Sequence, residues 1–340
     1  MTRLKPRCPF MLHFTLVLMA IPGFAFGSQS TGAKGGEMKR IEGGSFEMGC
    51  EEECPMDDAK PRHKVTLDPF WIDVAPVTNS EFSKFVKAKS YRTIAERIPT
   101  AAELPGVPAE KRLAGSACFS PAAVTLDNPY AWWQFVAGAN WRHPEGPKSP
   151  DSAEKLPSHP AVHIAYEDAL AFCKWAGKTL PTEAQFEYAA RGGLSRKKYA
   201  WGDEFKSGGI WQTNIWQGQF PKTDLGEDGF KGTSPVKAFP ANGYGLYDMG
   251  GNVWQWTLDW YRPTTYAERT KQGAEVKNPK GPPDSLDPSE PGVQKRVQRG
   301  GSYLCSDQYC VRYLVGSRGR GEPKSSASNL GFRCARNGPR

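Results

Sequence analysis

Short runs in which apolar and polar residues partly alternate recur along this chain between Gly, Pro and Asp, and helical periodicity is confined to three places. Residues 41–49 (IEGGSFEMG) and 65–74 (VTLDPFWIDV) are of the alternating kind and predict strands. Thr78-Asn-Ser-Glu81 is a capping box, and Phe82, Phe85 and Val86 follow it at helical spacing, which predicts a first helix. A second helix is predicted over about residues 167–176, with Leu170 and Cys173 on its inner face and Gly177 as its stop. The third opens at the box Thr182-Glu-Ala-Gln185 just after Pro181, turns Phe186 and Ala190 inward, and ends at Gly192-Gly193. Beyond that point the pattern dissolves into turns and aromatics. Residues 91–158 and 262–291 are Pro-rich and weakly periodic, and read as long surface loops because each returns to sequence patterned as folded core. With no repeat of fixed period, one compact domain over residues 39–336 with a short tail, 337–340, is expected.

Composition narrows the class. A chain of 340 residues that is 39% hydrophobic and 24% charged can bury a large core, which excludes wholesale disorder and a bundle of membrane helices. Its 36 Gly, 29 Pro and 11 Trp favour turns and short elements, hence an aromatic-rich, loop-rich α+β fold. The formal charge of +8 is dispersed, with no basic run or nucleic-acid motif, so no nucleic-acid partner is expected.

Arg3, Lys5 and Arg7 precede an apolar stretch, residues 10–26, that is broken by Pro22-Gly23 and followed by Gly27-Ser28. This is the pattern of a signal peptide, residues 1–27, with cleavage after Gly27 and a flexible linker over 28–38. A membrane anchor is the alternative, but the run is short for a span and no stop-transfer cluster follows, so no stable span is expected in the mature chain. Such a leader delivers the chain to the periplasm or exterior of a bacterium, or to the endoplasmic reticulum lumen of a eukaryote. The absence of an Asn-x-Ser/Thr sequon favours the bacterium. Cys8 departs with the leader, leaving Cys50, Cys54, Cys118, Cys173, Cys305, Cys310 and Cys334. Seven is odd, so in an oxidising compartment at least one thiol is unpaired or the cysteines do more than staple.

Four constellations are candidates for chemistry. His159 and His163 have an i, i+4 spacing, yet Pro160 argues for extended chain that separates them rather than a helical metal site. Asn214-Ile215 with residues 224–230 (DLGEDGF), and Asp248-Met-Gly-Gly-Asn252, are Gly-punctuated loops offering carboxylates, amides and carbonyls. A solvated turn and a hard, oxygen-seeking ion such as calcium are both open there. The fourth is the stretch from Arg299 to Tyr313, where Cys305 and Cys310 lie five apart beside Gly-Gly. That pair serves equally as a disulfide or as two thiolates holding a soft metal such as Cu(I).

Several ordered segments decide among these readings: GGSFEMG (43–49), ANWRHPEGP (139–147), HPAVHIAYEDALAFCKWAGKTLPTEAQFEYAARGGL (159–194), NIWQGQFP (214–221), GEDGF (226–230), NGYGLYDMGGNVWQWT (242–257), RGGSYLCSDQYC (299–310) and SSASNLGFRC (325–334). Over residues 41–336 the chain resembles the formylglycine-generating enzymes, the sulfatase-modifying oxidases. The resemblance implies a C-type-lectin-like fold elaborated with long loops, in which Cys305 and Cys310 coordinate Cu(I). It further implies that the cysteine of an unfolded sulfatase, in a Cys-x-Pro-x-Arg-like segment, joins as a third sulfur ligand and O2 reacts there. A hydrogen then leaves the substrate β-carbon, and hydrolysis of the thioaldehyde gives formylglycine.

By the same resemblance Ser302 and Tyr309 are polar partners in the site, Trp254 is a wall and Asn329 lies close by. A first calcium site is implied at Asn214, Ile215, Asp228 and Phe230, and a second at Asp248, Gly251, Val253 and Gln255. Gln255 stands where the family usually has Glu, so the second site lacks one charge. A disulfide is implied between Cys173 and Cys334, whereas Ala190 and Val315 occupy the positions of a second family bridge. Cys50 and Cys54 are near enough in sequence to pair, leaving Cys118 over. The competing function is an exported, non-catalytic binding module in which Cys305 and Cys310 form a permanent disulfide. An iron-dependent sulfoxide synthase of the same superfamily would need a histidine cluster that the sequence lacks.

Overall fold

The computed structural model describes residues 34–338 apart from Glu53, Ala123, Thr125 and Ala274, so the leader and most of the linker lie outside the described residues. Each alternating run contributes to two strands. β1 (Met38–Ile41) and β2 (Gly44–Met48) meet at Gly43, and Asp68-Pro69 splits the second run into β3 (His63–Leu67) and β4 (Phe70–Asp73). α1 (Asn79–Lys89) begins at its box: Thr78 Oγ1 accepts from Glu81 N at 3.2 Å, and Glu81 Oε2 accepts from Thr78 N at 2.8 Å. The Pro-rich stretch 91–158 is more than a loop, because it contains a hairpin of β5 (Gly115–Phe119) and β6 (Trp133–Ala137). Its buried positions include Ser116 and Cys118, small residues that weaken the hydrophobic alternation.

α2 (Tyr166–Trp175) and α3 (Glu183–Arg191) fall where periodicity places them. α2 turns Ala169, Phe172 and Cys173 inward, with Leu170 at the margin, and α3 ends at Gly192 in the left-handed region, φ 57°. The aromatic-rich remainder holds β7 (Trp254–Trp260), and the segment 262–291 holds α4 (Thr265–Gln272) and β8 (Val276–Lys277). β9 (Arg296–Arg299), β10 (Gly319–Gly321), β11 (Leu330–Gly331) and β12 (Ala335–Asn337) complete the chain.

The described strands form four small sheets, ordered β1-β4-β12, β2-β3-β8, β10-β9-β7-β11 and β5-β6. One core packs α1, α2 and the C-terminal segment through Phe82, Phe172, Trp256 and Phe332, with Phe82 stacked on Phe172 at 5.9 Å. Another lies beneath α3 and β1–β4, around Val65, Phe70, Ile72 and Phe186. Cys173–Cys334 joins α2 to the approach to β12, and Cys50–Cys54 closes a loop between β2 and β3. Cys118 is a buried free thiol.

Replacing both Cys173 and Cys334 with Ala should lower the unfolding free energy by about 2–5 kcal/mol, because the bridge closes a long loop. Its sequence separation is 161. Urea unfolding of parent and variant measures the difference.

Candidate active site

β9 and β10 pair antiparallel, Gln298 opposite Gly319, and between them residues 300–318 leave the sheet as one long loop. Both sequence-singled thiols sit on tight turns of that loop: Cys305 N donates to Ser302 O at 2.9 Å and Cys310 N to Ser306 O at 3.1 Å. Cys305 is 1% exposed and Cys310 half-buried, and their Sγ atoms lie 2.9 Å apart as free thiols. An S–S bond is about 2.05 Å long, so the pair is close but not bonded. Burial pushes the Cys305 thiol well up. Cys310 is held below the ordinary thiol value, first by the hydrogen bond from Cys305 and then by the N–H and charge of Arg312. The two thiols are therefore shifted in opposite directions, Cys305 up and Cys310 down.

Three distant stretches meet around it. Ser302 N–H points at Cys305 Sγ, 3.5 Å away, while Ser302 Oγ accepts from Asn329 Nδ2 at 2.9 Å. Asn329 in turn is fixed by its carbonyl, which accepts from Trp254 N at 2.8 Å where β11 joins β7 in parallel. Trp254 packs on the cluster that holds Cys305 and Cys310. Tyr309 is 43% exposed and stacks on Phe220 at 5.1 Å, with Trp132 edge-on at 5.2 Å. Sequence reasoning missed Trp132, Phe220 and Arg312 as neighbours of the site. Phe220 lies inside the quoted NIWQGQFP segment and Arg312 two residues past Cys310, so the signal for those two was adjacency.

The segment 214–221 links the thiol loop to the first ion-site residues. Trp216 N donates to Cys305 O at 3.0 Å, and Gln308 bridges Phe220 N and Gly218 O. One residue earlier, Ile215 N donates to Asp228 Oδ2 at 3.1 Å, and Phe230 N donates to Asp228 Oδ1 at 3.0 Å. Gln217 Nε2 donates both to Asp228 Oδ2, at 2.7 Å, and to Ile215 O. Two oxygens of the expected ligand set thus converge on one point, where an amide nitrogen stands. Asn214 turns its Nδ2 to Gly232 O at 2.9 Å. Burial pushes the Asp228 carboxyl up, with nearby Asp224 adding to the rise.

Residues of the second expected set are already bonded to one another. Asp248 Oδ2 accepts from Lys237 N at 2.9 Å and Oδ1 from Asn252 Nδ2 at 3.2 Å. Gln255 Nε2 donates to Asp248 O at 2.9 Å, and its Oε1 accepts from Arg333 Nε at 2.6 Å. Gly251, at φ 72°, admits the close approach of Asn214 O, which a Cβ would meet at 2.3 Å. Val253 is fully buried, with its side chain beside Gly331. His159 and His163 do not converge: His159 Nδ1 meets Thr233 Oγ1, while His163 lies between Ser116 Oγ and Pro144 O.

A paired thiol site on a loop-rich α+β scaffold of small sheets defines the class. The description Sulfatase-modifying factor enzyme 1-like domain matches residues 25–338, and the chain belongs to that family. The Formylglycine-generating enzyme of Streptomyces coelicolor is 47% identical over 301 residues, covering 87% of this chain and 88% of that protein. The Inactive C-alpha-formylglycine-generating enzyme 2 of Bos taurus is 38% identical over 299 residues, 88% of this chain and 87% of its own length. Among solved structures, PvdO from Pseudomonas aeruginosa shares the fold at a TM-score of 0.58 and 24% identity, over 89% of this chain and 94% of that one.

The asymmetry of the thiols is open to alkylation. In reduced, metal-free protein Cys310 should react first, at a pH below that of an ordinary thiol, and Cys305→Ala should move its midpoint upward by removing the hydrogen bond. Cys118, pushed up to about 12, should stay unlabelled until the protein unfolds. Mass spectrometry of the labelled peptides against pH measures all three.

Proposed function

We propose that this enzyme oxidises a cysteine in a Cys-x-Pro-x-Arg-like segment of an unfolded sulfatase to Cα-formylglycine, with Cu(I) at Cys305 and Cys310 and O2 as co-substrate. The observation that carries the reading is the buried pair of free thiols, 2.9 Å apart. Its donor set, two facing sulfurs in the protein interior, fits the metal. Two sulfurs alone suit a soft, low-coordinate ion and leave positions free. Bound there, copper would supply a centre that takes a third sulfur and reacts with O2.

The chain's own residues do the rest. Cys310, the more acidic thiol, gives up its proton more readily, and Ser302 N–H steadies the Cys305 sulfur. Asn329 holds Ser302 in register, and Trp254 closes the apolar wall that keeps water from the sulfurs. The exposed Tyr309 ring, backed by Phe220 and Trp132, forms the surface over which an extended peptide is presented. Two disulfides support an exported enzyme in an oxidising compartment, as the leader suggests. The substrate must be met there before it folds.

Calcium is proposed at Asn214, Ile215, Asp228 and Phe230, where an ion would displace the Gln217 amide from the converging oxygens. The second set does not fit an ion. Gln255 brings no charge, and its oxygen is taken by Arg333, itself a buried cation.

Cys310→Ser should keep the parent's circular dichroism and melting profile and lose turnover of a sulfatase-derived peptide by at least a hundredfold. Equal turnover of copper-loaded parent and variant rejects the reading. Calcium should raise the melting temperature with a response that grows logarithmically in free ion, and titration should give one binding step per chain. Asp228→Ala should abolish that step, whereas Gln255→Glu, which restores the missing carboxylate, should add a second. An unchanged melting temperature on chelation of the parent removes the first site, and identical titrations of parent and Gln255→Glu show that Arg333, rather than the missing charge, keeps the second set from holding an ion.

A further inference from the structure

Both ends of the thiol-bearing loop finish in an arginine, and both arginines reach the same carboxylate. Arg299, the last residue of β9, donates from Nη1 to Glu183 Oε1 at 2.9 Å. Arg318, immediately before β10, donates from Nε to Glu183 Oε1 at 2.6 Å and from Nη2 to Oε2 at 3.2 Å. All three side chains are fully buried. Arg299 also reaches into the loop itself, from Nη2 to Val315 O at 2.8 Å. Arg312, whose N–H and charge act on Cys310, donates to Arg318 O.

Glu183 in turn is fixed from behind. It is the first residue of α3, where the helix N-terminus favours a negative charge. Its N–H donates to Asp259 Oδ2 at 2.7 Å, and Tyr266 Oη donates to its Oε1 at 3.1 Å. Neighbouring Glu187 is different in kind: it meets Arg299 and Arg191, so it holds one end of the loop only.

We infer that Glu183 is a positioning residue that sets the separation of Cys305 and Cys310 by fastening both ends of the loop to one point. The loop carries Ser302, Cys305, Tyr309 and Cys310; β9–β10 pairing aligns the strands beside its ends and Tyr266 touches both arginines, but Glu183 is the described carboxylate that bonds both of them. A charged, bidentate contact in a dry interior has narrow geometry, so the spacing of the loop ends is narrow too. This rests on the proposed oxidase reading for its functional meaning, but the geometry can be measured without it.

The readout is the thiol pair's own equilibrium with glutathione in the full chain, without metal. Two thiols pass two electrons and two protons to glutathione disulfide, forming the Cys305–Cys310 bond and two glutathione thiols. Differential alkylation and mass spectrometry give the equilibrium constant, with Cys173–Cys334 as an internal control that should not change. Glu183→Gln should weaken closure of the pair tenfold or more, and Glu187→Gln much less. Arg318→Lys keeps the charge but loses the fork, so it should also weaken closure; it carries the test if Glu183→Gln does not fold.

An unchanged constant in a folded Glu183→Gln or Arg318→Lys overturns the inference, as does an equal loss in Glu187→Gln. Peptide turnover by the copper-loaded parent is measured separately. A parent that fails to turn over while the variants loosen the pair rejects the oxidase reading and keeps the positioning role. Turnover by the parent with no loosening in the variants does the reverse.

Discussion

A carboxylate taken out of water must meet positive charge or lose its own, and the interior of this fold is arranged around carboxylates that keep theirs. Glu183 is held at about 2 by Arg318 and Arg299 against the opposing effect of burial, and Glu187 is lowered by Arg191 and Arg299. Asp259, beside Glu183, is pushed up to about 6 by burial and by that neighbour's charge. The cluster draws together α3, α4, β7 and the two ends of the β9–β10 loop. Breaking one partner of a buried pair leaves a charge stranded at a cost of about 3–5 kcal/mol, so these contacts constrain geometry more than they add stability.

That constraint matters because regular structure is sparse. Small sheets and four described helices leave long irregular stretches whose backbone groups need partners elsewhere. They find them across the chain: Asn329 supports Ser302, Trp216 supports the Cys305 carbonyl, and Arg333 gathers the carbonyls of Asp73, Tyr247 and Asp248. The site is thus a junction of segments that share little except these bonds. Binding an ion at Asp228 would stiffen the stretch that grips Cys305 two bonds away along the same network, through Ile215 and Trp216.

Legibility followed locality. The boxes at Thr78 and Thr182 were readable because a cap is a four-residue event, and α1 and α3 start where those boxes stand. Cys305, Cys310, Ser302, Asn329 and Trp254 were found through ordered segments that resemble a family, and the structure brings all five together. β5 and β6 were hidden because Ser116 and Cys118 do the burying that Val or Ile would advertise. The polar positions of α3 carried no signal: nothing local marks Glu183, Glu187 and Arg191 as interior, and the charged partners Arg299 and Arg318 that make the two glutamates so are more than a hundred residues away. At Gln255 the departure from the family was visible, but not that Arg333 would occupy its oxygen.

The first and last described strands lie on either side of the same one: Met38 pairs with Asp73, and Asn337 with Phe70, both on β4. Both flanking strands are antiparallel to β4 and so run parallel to each other, with Met38 at one end of β4 and Asn337 at the other. A pull applied at those two residues would therefore load both ladders of β4 in shear, all their hydrogen bonds together, rather than unzip them one at a time. The sheet that gathers the two margins of the described chain is in effect a mechanical clamp, and the thiol loop lies on the protected side of the load path only while that clamp holds.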